Sequence, residues 1–101
     1  MTTDEDPTTP APLLRDNTAA GRYEYPLGDE LGWVRYRRAD GVTTLSYARI
    51  PEALAGQGAG SAMARAVLEA ERRGGNRVRA TCSFIAAYLA RHPEFNDLRA
   101  D

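Results

Sequence analysis

At Pro51 the spacing of apolar residues changes, and that change fixes what the chain can fold into. Before it the residues favour strands. "RYEYPL" (22–27) is short and β-prone, with Pro26 pointing to a sheet edge. "GDE" reads as a turn, and "LGWVRYR" (31–37) resumes with aromatic and β-branched side chains. "ADG" at 39–41 signals a tight hairpin. "VTTLSYARI" (42–50) then alternates, with Val42, Thr44, Ser46, Ala48 and Ile50 on one face and Thr43, Leu45, Tyr47 and Arg49 on the other. Consecutive strands joined by tight turns predict an antiparallel meander.

After Pro51 the period is helical. Over residues 58–73, Ala59, Met63, Ala66, Val67 and Ala70 form an apolar stripe, and Glu69 lies four residues from both Arg65 and Arg73. "GGN" (74–76) ends this helix, and "RVRATC" (77–82) is a further strand. Strand, helix and strand in succession predict a right-handed parallel crossover. "SFIAAYLARH" (83–92) is a second helix, with Ser83 as N-cap and Pro93 as a stop, and "PEFNDLRAD" forms a short turn or frayed end. The expected fold class is α/β (α+β): a mixed sheet built from a meander, a parallel β-α-β crossover and a C-terminal helix.

The 101 residues suffice for one compact domain. Residues 1–16, with three prolines, four threonines and a net charge of −3, read as an acidic tail that cannot bury enough surface to order itself. Residues 17–101 are then the domain, mildly basic at about +2 within an overall −1. No global field recruits nucleic acid or an anionic membrane. No apolar run is long enough to span a bilayer, and the N-terminus lacks the apolar core of a secretory signal. Cys82 is the only cysteine, which excludes a disulfide framework and a multi-cysteine zinc site, so no metal is expected. These features predict a cytoplasmic protein, a monomer or weak homodimer if its edge strands pair.

Between strand and helix lies "AGQGAGSAM" (55–63), with glycine at 56, 58 and 60. A helix start leaves unpaired N–H groups and about half a positive charge, and glycines let an anion approach them. A phosphate or diphosphate is the natural guest. A phosphate-binding loop of the NTPase kind needs Lys-Ser/Thr after its last glycine, but Ser61-Ala62 stands here. A dinucleotide fingerprint needs a glycine at 63, where Met stands, and an earlier parallel unit.

The arrangement resembles the GNAT superfamily of N-acetyltransferases, whose Gln/Arg-x-x-Gly-x-Gly/Ala turn follows a central strand. Gly58 and Gly60 match that pattern, while Ala55 replaces the Gln/Arg. "IPEAL", "CSFIAAYLARHPEF" and the total length are similar to the compact, stand-alone YjdJ-type GNAT family, over about residues 17–99. The resemblance implies a splayed sheet with acetyl-CoA between the strands 42–50 and 77–82. It implies cofactor contacts from Ile50, Ala55, Gly56, Gln57, Gly58, Ala59, Gly60 and Ser61, with Arg49, Arg65 or Arg91 as candidates to meet phosphate.

For chemistry, Cys82 ends a strand and precedes a helix, a position that favours the reactive thiolate; the resemblance places it beside the acetyl group. A small buried hydrophobe is the plainer reading of Cys82. The resemblance makes Tyr88 the candidate acid for the leaving thiolate of CoA, weighed against a core aromatic. His92 lies about 15 Å along the helix from Cys82, too far for a dyad, and with Arg91 complements the helix C-terminus. The sequence shows no clear general base; Glu52 and Glu94 are candidates. Trp33 and Tyr36 pack in the sheet or line an acceptor pocket. The resemblance implies acetyl transfer to a primary amine, either directly or through acetyl-Cys82. A non-catalytic acyl-CoA-binding module is the alternative.

Overall fold

The structure, a computed structural model, describes residues 14–52, 56 and 58–100. Strands β2 (Arg22–Leu27), β3 (Glu30–Ala39) and β4 (Val42–Arg49) form the expected meander. The β3–β4 hairpin turns through Asp40 (φ 55°) and Gly41 (φ 77°), the paired left-handed conformation that matches strand twist. A further strand, β1 (Arg15–Asn17), pairs antiparallel with β2 from Arg15↔Glu24 to Asn17↔Arg22.

Arg15 and Asp16 therefore belong to the sheet, inside the segment expected to be tail. Their partners explain why. Glu24 accepts hydrogen bonds from Asn17 Nδ2 at 3.0 Å and Arg22 Nε at 2.8 Å, and Arg15 lies at 3.5 Å. Asp16 accepts from the Tyr36 hydroxyl and pairs with Arg38 at 3.5 Å. Residues 1–13 lie outside the described residues. Pro26 falls beyond the reach of β1, whose pairing ends at Glu24, so its missing N–H interrupts no ladder on that side.

Helix α1 (Ala59–Arg73) crosses over to β5 (Arg77–Ala80), which runs parallel to β4, and α2 (Ser83–Arg91) follows. The sheet order is β1-β2-β3-β4-β5. The closing residues 93–98 form a 3-10 helix, not a frayed end. Ala100 N–H then donates to the Val78 carbonyl at 2.8 Å and covers part of the outer edge of β5.

Both helices pack on one face of the sheet, around Val34, Leu45, Met63, Leu68, Val78, Ile85 and Phe95. The buried side of α1 is wider than the expected stripe and adds Ala64, Leu68 and the fully buried Glu71. Glu71 accepts hydrogen bonds from the Tyr23 hydroxyl (2.5 Å), the Thr43 hydroxyl (2.7 Å) and Arg38 (2.7 Å). One carboxylate thus ties α1 to β2, β3 and β4. Every lone pair it turns inward is satisfied, which is the condition for burying a charge.

Candidate active site

The site begins with one extra residue. Arg35 pairs with Tyr47 and Tyr36 pairs with Leu45, so Ser46 has no partner of its own and forms a bulge on β4. A bulge bends its strand and tightens the local twist. Alternation across residues 42–50 was expected to be unbroken; the bulge corrects it, turning Tyr47 and Arg49 outward beside Arg35 and Trp33 and Ala48 inward beside Val34.

The pairing of β4 with β5 stops at the same place. Its last pair is Leu45↔Ala80, and the N–H groups of Thr81 and Cys82 both converge on the Leu45 carbonyl at 3.0 and 3.1 Å. Past Leu45, β4 continues while β5 turns into α2. The two strands part, and residues 46–49 have no strand partner on that side among the described residues.

Backbone direction in the gap follows from β3. Tyr36 N–H donates toward β2, to the Gly21 carbonyl at 2.9 Å, so its neighbour Arg35 and, two residues on, Trp33 turn their peptide groups toward β4. Tyr47 and Arg49 spend their own on those partners. Ala48, and by the same period Ile50, therefore direct peptide N–H and C=O groups into the gap. Ile50 was expected in the site; the backbone N–H groups of the Thr44–Ile50 strand were expected to polarise the acyl group, but Ala48 was not singled out, because only the bulge sets its direction.

At the mouth of the gap, α1 starts on Gly58 (φ 81°) without a side-chain cap and without an acidic residue in its first turn. Among the described residues its first helical bond is Ala62 N–H to the Gly58 carbonyl at 3.0 Å, with the amides of Ala59, Gly60 and Ser61 ahead of it and no side chain capping them. The glycines serve different ends. Gly56 (φ 85°) and Gly58 adopt left-handed backbone with open space where a Cβ would stand. Gly60 is an ordinary helical residue whose Cβ would lie 2.8 Å from Phe84 Cζ and 3.6 Å from Ile50 Cγ1. Its bareness lets α1 and α2 meet at their starts. Ala55 and Gln57 lie outside the described residues.

Cys82 is the N-cap residue of α2, half-buried against the core, at the point where β5 leaves β4. The structure brings Cys82, Ala48, Ile50 and the α1 start to one gap. Tyr88 is a core residue: it is 2% exposed, its ring stacks on His92 at 3.8 Å between centroids, and Phe95 lies 6.3 Å away. His92 Nδ1 donates to the Tyr88 carbonyl at 2.8 Å, the C-terminal role expected of it. Arg65 is engaged by Glu69 (3.2 Å) and Glu94 (2.6 Å). The Glu94 carboxyl is held below its ordinary range by a hydrogen bond from its own backbone and by Arg65. Arg91 is exposed at the far end of α2, about 13 Å along the axis from Cys82. No cluster of metal-ligating side chains occurs among the described residues, and no described helix is long and apolar enough to cross a membrane.

A strand pair parted at a bulge, with a helix start at its mouth, is the arrangement expected from the GNAT resemblance, and the comparisons show the family. A family model described as GCN5-related N-acetyl-transferase matches residues 22–98. The chain belongs to that family. Its fold is also that of a GCN5-like protein from Staphylococcus aureus solved by NMR in solution, with a TM-score of 0.65 and 21% identity over 85% of each chain. No curated protein matches the chain.

Proposed function

We propose that the protein transfers an acetyl group from acetyl-CoA to a primary amine. The parting of β4 from β5 after Leu45, with the Ala48 and Ile50 peptide groups turned into the opening, is the observation that carries this reading. The residues present suit such a donor. Gly56 and Gly58 leave open the space a Cβ would fill, and the amides of Ala59, Gly60 and Ser61 stand uncapped for a diphosphate. Acetyl-CoA supplies an activated acyl thioester. Peptide N–H groups of Ala48 and Ile50 act as the donors that polarise an acyl oxygen in the gap. A neutral amine bonds the acyl carbon, the carbon–sulfur bond breaks with its electron pair on sulfur, and the proton shed by the amine passes to that thiolate or to water.

Direct attack is preferred. The position of Cys82 beside the Leu45 carbonyl supports a covalent route as the second reading, in which its sulfur takes the acetyl group before the amine does. The burial of Tyr88 supports a packing role for it. Incubating the full chain with acetyl-CoA and amine-bearing compounds, and following free CoA, tests the function. Turnover supports it, whereas calorimetry with tight CoA binding and no turnover favours a binding module. ADP binding as tight as CoA assigns the cradle to another phosphate ligand. A mass gain of about 42 Da on Cys82 from acetyl-CoA alone identifies the covalent route.

A further inference from the structure

We infer that the acceptor amine is a lysine or N-terminus on an extended acidic peptide, held along the outer side of β4 by Arg35, Arg37 and Arg79. This rests on the acetyl-transfer reading above. On the helix side Phe84 packs against Gly60 beside the gap, while both helices lie on that one face of the sheet, which leaves the opposite face as the approach for a second substrate.

That face carries a trough. One depression of about 300 Å³ is lined by Arg35, Tyr36, Arg37, Thr44 and Ser46. A second, of about 320 Å³, is lined by Arg37, Ala39, Asp40, Val42, Thr44 and Arg79. They share Arg37 and Thr44 and so run on into each other, along β4 from Val42 to the bulge at Ser46. The trough ends where the gap opens, and at about 3.3 Å per residue it spans roughly 15 Å. An open channel of that length fits an extended chain; a small amine would be held by an enclosed pocket.

Its charge selects the chain. Arg37 and Arg79 flank Thr44 in register on neighbouring strands. The Arg35 guanidinium lies 5.3 Å from the Trp33 ring centre and 5.8 Å from that of Tyr47, which fixes it over the trough's gap end. Arg15, Arg22, Arg38, Arg65 and Arg72 all have carboxylate partners. Among the described residues Arg35, Arg37 and Arg79 have none; Arg49, Arg73, Arg77, Arg91 and Arg99 also have none but do not line the trough, and Asp40 at its far end is the only carboxylate lining it. Carboxylates flanking the acceptor amine answer these guanidiniums. Polyamines and basic peptides meet like charge there.

Trp33 is the only tryptophan, and with Arg35 over its ring it reports occupancy by fluorescence. The full chain is titrated with peptides holding one lysine among glutamates, among serines, or among arginines. The acidic peptide should bind best, with affinity falling on the order of tenfold between 0.05 and 0.3 M salt. Arg37→Glu with Arg79→Glu should weaken it on the order of tenfold, and the alanine pair less, with circular dichroism unchanged. The same variants should raise KM for acetylation and spare kcat. Equal affinity for acidic and basic peptides, indifference to charge reversal, or displacement of the acidic peptide by spermine or by single-stranded nucleic acid overturns the inference. Acidic-peptide binding without any acetyl transfer sinks the proposed function and leaves the trough's ligand class standing.

Discussion

Replacing Glu71 by leucine should remove about 4 kcal/mol of stability. The carboxylate is fully buried and receives the Tyr23 hydroxyl at 2.5 Å, the Thr43 hydroxyl at 2.7 Å and Arg38 at 2.7 Å. Leucine keeps the volume and takes the acceptor from two buried hydroxyl protons, each costing about 1–3 kcal/mol when unmet, although both oxygens still accept from Arg38 at 3.1 and 2.9 Å. Arg38 suffers less, because its side chain is 29% exposed and Asp16 remains at 3.5 Å. Breaking a buried charge pair by removing one partner costs about 3–5 kcal/mol, which brackets the same figure. A domain of this size loses about 4–8 °C of Tm per kcal/mol, so the midpoint should fall on the order of 20 °C. Glu71→Gln retains an acceptor and should cost about 2 kcal/mol, the difference between charged and neutral hydrogen bonds. Urea unfolding followed by Trp33 fluorescence gives both numbers. Combining Glu71→Leu with Tyr23→Phe and Thr43→Val removes both sides of the lost bonds and should recover about 2 kcal/mol. If Glu71→Leu lies within about 1 kcal/mol of wild type, or the triple variant is no better than the single, the network does not hold α1 to the sheet.

Alkaline pH tests the same network. Burial, then the hydrogen bond to Glu71, raises the Tyr23 phenol above its ordinary 10.0. The unfolded chain therefore sheds that proton first, stability is complete below about pH 10 and declines as pH rises beyond it. Tyr36 shifts the same way through burial and Asp16, so Tyr23→Phe should flatten the decline in pH-dependent urea midpoints without abolishing it. Gly58→Ala places a side chain at φ 81° in open space; it should cost about 1–2 kcal/mol and weaken CoA binding by calorimetry. Tyr88→Phe should leave kcat within about threefold of wild type, since the ring is 2% exposed and stacked on His92; a hundredfold loss, about 2.7 kcal/mol in the barrier, would make it the proton donor after all.

The meander and the crossover were legible because their residues obey local rules. Asp40-Gly41 is a hairpin signal wherever it falls between strands, and the stripe on 59–73 has one helical period. β1 was not legible, since Arg15, Asp16 and Asn17 are polar and acquire partners only from Glu24, Tyr36 and Arg38 across the sheet. Glu71 carries no local signal of burial, for its partners are 28 to 48 residues away in sequence. The glycine turn was visible as a pattern, but Gly60 answers to Phe84, a residue on another helix. The bulge at Ser46 leaves no mark in "VTTLSYARI", which alternates well enough for either register, so Ala48 could not be assigned.

That single unpaired serine has a consequence for how such a protein changes over time. The bend of its cleft wall depends on a count of residues, so a one-codon deletion at position 46 would straighten β4 beside the opening while keeping Val34 and Leu45 in the core. Point substitutions at the neighbouring outward positions leave that count unchanged and alter only what the outer trough offers a ligand, so the opening and its choice of partner can change independently.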